Sequence, residues 1–244
     1  MKSPLSGDPT IKILPIFILL SSLYVTGQTA HASICLFLGP IGDVAPVVVV
    51  FDNQMAGYSA HGFTATHDDA NMTLGAAVFN GAVGGFDVAV STAVSKPVLQ
   101  GNAIDLNTVV VGKGSIQIGM ADYDFASNGH GFHSQLGGTT QGQVKLGTFI
   151  DPNNTKIIAD ENVDLLFNSG WLDQSPFSAA HQTANDAPAD FTNGLFGMLV
   201  AMNVEHEQME ITSFNANLAQ TPEPTTALIW SMLAGLGMTI RRRR

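Results

Sequence analysis

Two aspartates and two histidines are the first residues whose spacing could do chemistry. Asp122-Tyr123-Asp124 places two carboxylates two positions apart, and on a strand such residues share a face. His130 and His133 follow closely. Carboxylates with imidazoles could hold a metal ion, and carboxylates alone would suit calcium. The competing reading is a solvent-facing acidic strand end beside a His-bearing hairpin. The sequence favours that plainer reading, so no metal site is assigned and these four residues stand as candidates.

Three other constellations deserve the same test. His67-Asp68-Asp69 is acidic enough for calcium but lacks the alternating D-x-D-x-D-G register of a calcium loop, and reads as a solvated loop. Glu205-His206-Glu207-Gln208-Met209 has the beginning of a zinc-protease helix but not its second histidine, since Glu210 stands there. Trp171, Tyr58 and Tyr123 are the aromatics that could stack on a sugar, with core packing the default for Trp171. Serine-nucleophile, phosphate-loop and dinucleotide fingerprints are missing. No catalytic residue is assigned, and the chain is not expected to be an enzyme.

Short strands would position these residues. Charged residues make up only 12% of the chain, against about 25% in an average domain. Gly, Asn, Ser and Thr supply the surface instead, which suits strands and tight turns better than amphipathic helices. Val44 to Phe51 reads as a buried strand, Met72 to Phe79 as another with a turn at Asn80-Gly81. Phe86 to Val94 alternates, with Phe86, Val88 and Val90 on one face and Asp87, Ala89 and Ser91 on the other. Ile104 to Val111 and Ser115 to Phe125 read as a hairpin about Gly112-Lys113-Gly114. Gln143 to Ile150, short strands within Ile157 to Phe167, Leu195 to Val204 and Glu210 to Leu218 complete the set, the last with a phase slip near Ser213. Gly170 to Asn193 reads as irregular. Such a pattern predicts an all-β fold, a single β-sandwich of jelly-roll type.

The chain carries a formal charge of −10. Between Ser33 and Gln220 there are four lysines and no arginine against fourteen aspartates and four glutamates, a charge of −14. That surface repels nucleic acid and anionic lipid. It suits solubility or divalent cations, and beyond a possible calcium ion no cofactor is expected. The one cysteine, Cys35, cannot form an internal disulfide, and the bulky Ile34 before it argues against lipidation.

Both ends read as addresses. Lys2 and Lys12 precede an apolar run from Ile13 to Val25, and Ala30-His31-Ala32 places small residues at the two positions a signal peptidase reads. Cleavage is expected after Ala32. At the other end Pro222-Glu223-Pro224 forms an extended elbow. Ala227 to Ile240 is an uncharged helix about 20 Å long at ~1.5 Å per residue. Arg241, Arg242, Arg243 and Arg244 close the chain. The arginines can snorkel and hold the C-terminus in the cytoplasm.

This ending resembles the PEP-CTERM sorting signal of exported bacterial proteins. The resemblance implies processing by a membrane-embedded exosortase in a producer of exopolysaccharide. Gly84-Gly85-Phe86, Ile104-Asp105-Leu106-Asn107, Gly114 to Phe125 and Gln135-Leu136-Gly137-Gly138 also look like a PEP-CTERM group with an uncharacterised β-domain, which implies no known activity. The expected organisation is a signal peptide over 1–32, a β-sandwich over 33–220, and the sorting signal over 221–244 with one transmembrane helix. The expected protein is an exported, non-catalytic component of the cell surface or extracellular matrix. Its partners would be the membrane, the exosortase and an exopolysaccharide. The rivals are a carbohydrate- or calcium-binding module and, more remotely, a secreted hydrolase.

Overall fold

The computed structural model describes residues 34–41, 46–60, 63–71, 73–99, 101–127, 131–154, 164–183 and 194–221. All lie within the unit His31–Arg244. The signal-peptide segment, His130, Trp230, the Pro222-Glu223-Pro224 elbow, the apolar tail and the four arginines fall outside them. Among the described residues there is no helix, and so none long and apolar enough to cross a membrane.

Among the described residues there are twelve strands. They are β1 (Cys35–Gly39), β2 (Val48–Phe51), β3 (Ser59–Ala60), β4 (Phe63–Thr64), β5 (Ala76–Val83), β6 (Phe86–Val94), β7 (Ala103–Ala126), β8 (Gly131–Thr140), β9 (Gln143–Asp151), β10 (Asp164–Asn168), β11 (Phe177–Thr183) and β12 (Leu195–Thr221). The long strands β7 and β12 pair antiparallel along nearly their whole length, and both bend midway. On one side of the bend the order is β10-β9-β12-β7-β1-β2; we call this the front sheet. On the other side β6 and β5 extend from β7, and β8 and β11 from β12; this is the back sheet. The β3–β4 hairpin stands apart.

The two sheets face each other over one core. It joins Leu36, Ile118 and Val200 of the front sheet to Val88, Leu106 and Ala216 of the back sheet. The all-β sandwich expected from the sequence is therefore what forms. Alternation supplies it: Ile116, Ile118 and Met120 point inward from β7, with Gln117 and Gly119 between them pointing outward. Burying one such Ile or Leu side chain stabilises by roughly 1.5–3 kcal/mol.

Several expected boundaries differ. Gly112-Lys113-Gly114 is not a hairpin but the bend of β7. A Cβ at Gly112 would sit 2.4 Å from the Gly85 carbonyl oxygen, so glycine is there for close backbone approach. The matching bend in β12 is a bulge between His206 and Glu210, not near Ser213. Asn80-Gly81 lies inside β5, and the chain turns at Gly84-Gly85 instead. Strand β2 begins at Val48, with Pro46 and Val47 before it. Strands β1, β8 and β11 were not anticipated. The strand Phe86–Val94 is present with the expected ends, but a bulge between Val88 and Val90 reverses its phase. Ser91 is consequently buried, with Thr108 Oγ1 3.1 Å away.

Candidate functional site

The outward face of the front sheet carries a row of polar side chains that ends on a tryptophan. Lys145 of β9 stands opposite Asn203 of β12, and Asn203 opposite Gln117 of β7. The Gln117 amide donates to Asn203 Oδ1 at 3.1 Å. Beyond β9 the segment Trp171-Leu172-Asp173 adds a short antiparallel bridge. Leu172 and Val144 exchange backbone hydrogen bonds of 2.8 and 3.0 Å. Leu172 packs on the core, so alternation turns Trp171 and Asp173 outward, beside Lys145 and Gln143. Trp171 is 43% exposed.

A second row runs alongside, one step along each strand: Asp173, Gln143, Glu205 and Ser115. It opens into a cleft of about 230 Å³ lined by Gln141, Gln143, Asp173, Glu205, Glu207 and Glu210. The rows cross four neighbouring strands, or about 15 Å at ~4.8 Å per strand.

The bend of β12 shapes the cleft. The Gly142 N–H lies 3.1 Å from Thr140 Oγ1, the Thr140 and Thr212 hydroxyls 2.6 Å apart, Thr212 Oγ1 2.7 Å from His206 Nε2, and His206 Nδ1 3.0 Å from the Gly112 carbonyl. A carbonyl can only accept, so Gly112 fixes the direction at its end of the chain, and a neutral ring then has one donor and one acceptor nitrogen. Nδ1 carries the proton and donates to Gly112, while Nε2 accepts from Thr212. His206 is thus a buried tie between both bends and not a metal ligand. With it pinned, Glu207, Gln208 and Met209 are pushed outward, and Met209 is 73% exposed.

The sequence candidates scatter. Asp122 and Asp124 do not share a face, because a bulge against Phe196–Met198 separates them and Asp124 has φ of 59°. Asp122 is fully buried, 2.7 Å from Ser95 Oγ and 3.7 Å from Lys96 Nζ. Asp124 is exposed and bonded to the Asn154 amide at 2.6 Å. His133 is half-buried on β8, on the back sheet. Among the described residues no group of three or more His, Cys, Asp or Glu is arranged to hold a metal.

In His67-Asp68-Asp69 the first two residues are exposed, as a solvated loop requires, but the third is not. Asp69 is buried and accepts the backbone N–H groups of Asn53, Asn71 and Val78 at 2.8 to 3.0 Å, and Asp68 accepts that of Ala56 at 2.7 Å. These carboxylates close the loop between β2 and β5. Of the aromatics, Tyr123 is fully buried, while Tyr58 is as exposed as Trp171. The expectation that Trp171 packs in the core is corrected: the Leu172 bridge fixes the opposite phase. Lys145, Asn203, Gln117 and Gln143 were overlooked, although each is the polar partner of buried neighbours in an alternating strand.

No protein-family model matches the chain, and none of the curated proteins matches it. Among solved structures it is similar to a carbohydrate-binding module, TmCBM61, in complex with β-1,4-galactotriose, at 10% identity over 60% of this chain and 87% of that one, with a TM-score of 0.32. It is also similar to the family 11 carbohydrate-binding module of the cellulosomal cellulase Lic26A-Cel5E of Clostridium thermocellum, at 12% identity over 64% and 93% of the two chains, with a TM-score of 0.26. The likeness is coarse in both cases.

Proposed function

We propose that the β-sandwich is a non-catalytic polysaccharide-binding domain of an exported cell-surface or matrix protein. The observation that carries this is the exposed Trp171 in line with the half-buried Lys145, Asn203 and Gln117 on the outward face of the front sheet. A tryptophan face offers a sugar ring a large apolar contact at small entropic cost. Amides and carboxylates beside it accept and donate to hydroxyls, which is how a mostly apolar contact gains orientation. Asp173, Glu205, Glu207 and Glu210 surround the row, so the polymer it suits is neutral and not polyanionic. Export and sorting rest on the two ends of the sequence: a signal peptide cut after Ala32 and a PEP-CTERM tail read by an exosortase.

The test is affinity electrophoresis in gels containing neutral polysaccharides (galactan, mannan, β-glucan) or a polyuronate. We expect retardation by at least one neutral polymer and none by the polyuronate. Trp171→Ala should weaken binding by more than tenfold, the ~1.4 kcal/mol that a central contact residue easily exceeds. Tyr58→Ala, an equally exposed aromatic elsewhere, should bind as the unaltered protein does. Retention that survives Trp171→Ala would discard this face as the site. Release of reducing ends from a bound polymer would replace the binding module with a hydrolase.

A further inference from the structure

The interior holds one lysine and one carboxylate that the binding face does not use. Lys96 follows β6 at the edge of the back sheet, and Asp122 lies on the front-sheet half of β7. Lys96 Nζ is 3.7 Å from Asp122 Oδ2, with side chains 10% and 0% exposed. The ammonium also donates to the Tyr123 carbonyl and sits 4.0 Å from the centre of the Phe125 ring. Asp122 is gripped at both oxygens: Ser95 Oγ donates to Oδ2 and the Tyr123 N–H to Oδ1, each at 2.7 Å.

We propose that Lys96 and Asp122 condense into an isopeptide bond that joins the two sheets covalently. The Nζ–Cγ bond forms and the Cγ–Oδ2 bond breaks. The ammonium gives up two protons, which leave with Oδ2 as one water, so a buried ion pair becomes a neutral amide. No oxidant or co-reactant is required. Nζ lies 3.7 Å from Oδ2, one C–O bond away from the Cγ it must reach, so a small shift brings it to the ~3–3.5 Å of a near-attack arrangement. The Tyr123 N–H on Oδ1 polarises the carboxyl and is placed to hold the developing oxyanion, as a backbone donor does in acyl transfer. Ser95 can pass a proton to the departing Oδ2. Burial adds to the drive, since it pushes Lys96 toward its neutral, nucleophilic amine, against the smaller opposing pull of Asp122 and Asp124. The site also excludes the water that would reverse the reaction. A chain with a single cysteine has no disulfide to serve the same end.

Peptide mapping of the purified full chain tests this independently of any polysaccharide. Trypsin cuts after Lys113, between the two residues, and not at Lys96-Pro97. The native protein should yield one branched species carrying both segments, lighter than their sum by one water. Lys96→Arg and Asp122→Ala should yield two linear peptides. Asp122→Asn keeps the side-chain shape and should give the same branched mass by loss of ammonia, which covers the case in which the other variants fail to fold. Ser95→Ala should slow the appearance of the branched species during refolding. Two linear peptides from the folded native protein would overturn the proposal.

Discussion

Replacing Gly119 by alanine should destabilise the domain, whereas the same change at Gly137 should not. Both glycines lie inside strands, β7 and β8, so propensity alone predicts a small gain for each, since glycine in a strand costs roughly 0.5–1 kcal/mol relative to alanine. Their surroundings differ. A Cβ at Gly119 would lie 2.2, 2.6 and 2.9 Å from three atoms of the Phe37 ring. That ring must retreat by more than an ångström, yet Phe37 is buried in a cluster with Ala121, Tyr123 and Leu199. Overpacking of this kind costs about 1–3 kcal/mol. A Cβ at Gly137 meets nothing within 4 Å. The propensity gain is common to both, so the two variants should differ by roughly 1–3 kcal/mol in urea unfolding, read as a shift of midpoint at constant slope. Phe37→Leu should cost less in the Gly119→Ala background than alone, giving a coupling of the kind expected between touching residues. The measurement bears on the site, because Phe37 over Gly119 and Phe149 over Gly147 occupy the same outer face that carries the Trp171 row. Equal stability of the two alanine variants, or strict additivity with Phe37→Leu, would refute the register on which that face is built.

Three further outcomes follow. Val88→Asp should destabilise by several kcal/mol and Asp87→Ala by no more than ~0.5 kcal/mol, because Val88 is fully buried and Asp87 exposed; similar thermal melts for the two would contradict the inward phase of β6. Burial pushes the Cys35 thiol from 9.0 up to about 12, so the folded state keeps a proton that the unfolded chain loses above pH 9. That stability is complete below pH 9 and falls by about 1.4 kcal/mol per pH unit as the pH rises toward 12; the quantity to measure is the wild-type curve minus that of Cys35→Ala, in which the titration of every other group cancels, and a flat difference would sink the assignment. Changing Pro222-Glu223-Pro224 to alanines should leave membrane insertion intact and block processing in an exosortase-bearing host, and mass spectrometry finding the wild-type extracellular protein intact through Arg244 would refute the sorting signal.

Local alternation was legible where it was unbroken. Gln143–Asp151 could be read from the chain, as Gln143 to Ile150, because it alternates almost throughout, and Phe86–Val94 because its alternation holds up to the bulge between Val88 and Val90. The two longest strands were cut in two at their bends: β7 because Gly112 and Gly114 usually make turns, β12 because Glu207-Gln208-Met209 breaks the alternation. Gly112 resembles a turn glycine, but its role is contact with Gly85, far away in sequence. Strand β8 escaped notice because Ser134 and Thr140 occupy inward positions usually held by Val or Ile. They are tolerated there because each hydroxyl meets another, on Thr148 and Thr212, at 2.8 and 2.6 Å. Bulges defeated the carboxylate reading: one extra residue between Asp122 and Phe125 sends Asp124 to solvent and leaves Asp122 inside. The individual polar residues of the binding face were visible, but the register that aligns them is set by pairings between segments widely separated in sequence.

The distribution of satisfied polar groups also separates structure from function. In the interior, hydroxyls pair as Ser91–Thr108, Ser134–Thr148 and Thr140–Thr212. In the loops, Asp52, Asp68, Asp69 and Asp151 accept backbone N–H groups. Even the amides on the outer face of the back sheet are internally matched, with Asn215 donating to Asp105 and Asn107, and Asn107 to Asp105. A surface whose donors and acceptors already hold one another has little to gain from a sugar hydroxyl. The Trp171 face differs: among the described residues the side chains of Gln143, Lys145, Asp173, Glu205 and Glu207 make no hydrogen bond or ion pair with the protein. These groups are solvated, so exchanging water for a ligand hydroxyl costs little and leaves no buried group unmatched. Trp171 stands at the end of that row and supplies the apolar contact that hydrogen-bond exchange alone cannot, because exchange with water is nearly neutral while burial of an aromatic face is not. It follows that affinity should reside in Trp171 and selectivity in the amides. Gln143→Ala should therefore alter which neutral polymer is preferred more than how tightly the best one binds, and Gln117→Ala or Asn203→Ala, whose amides already hold each other, should do so less.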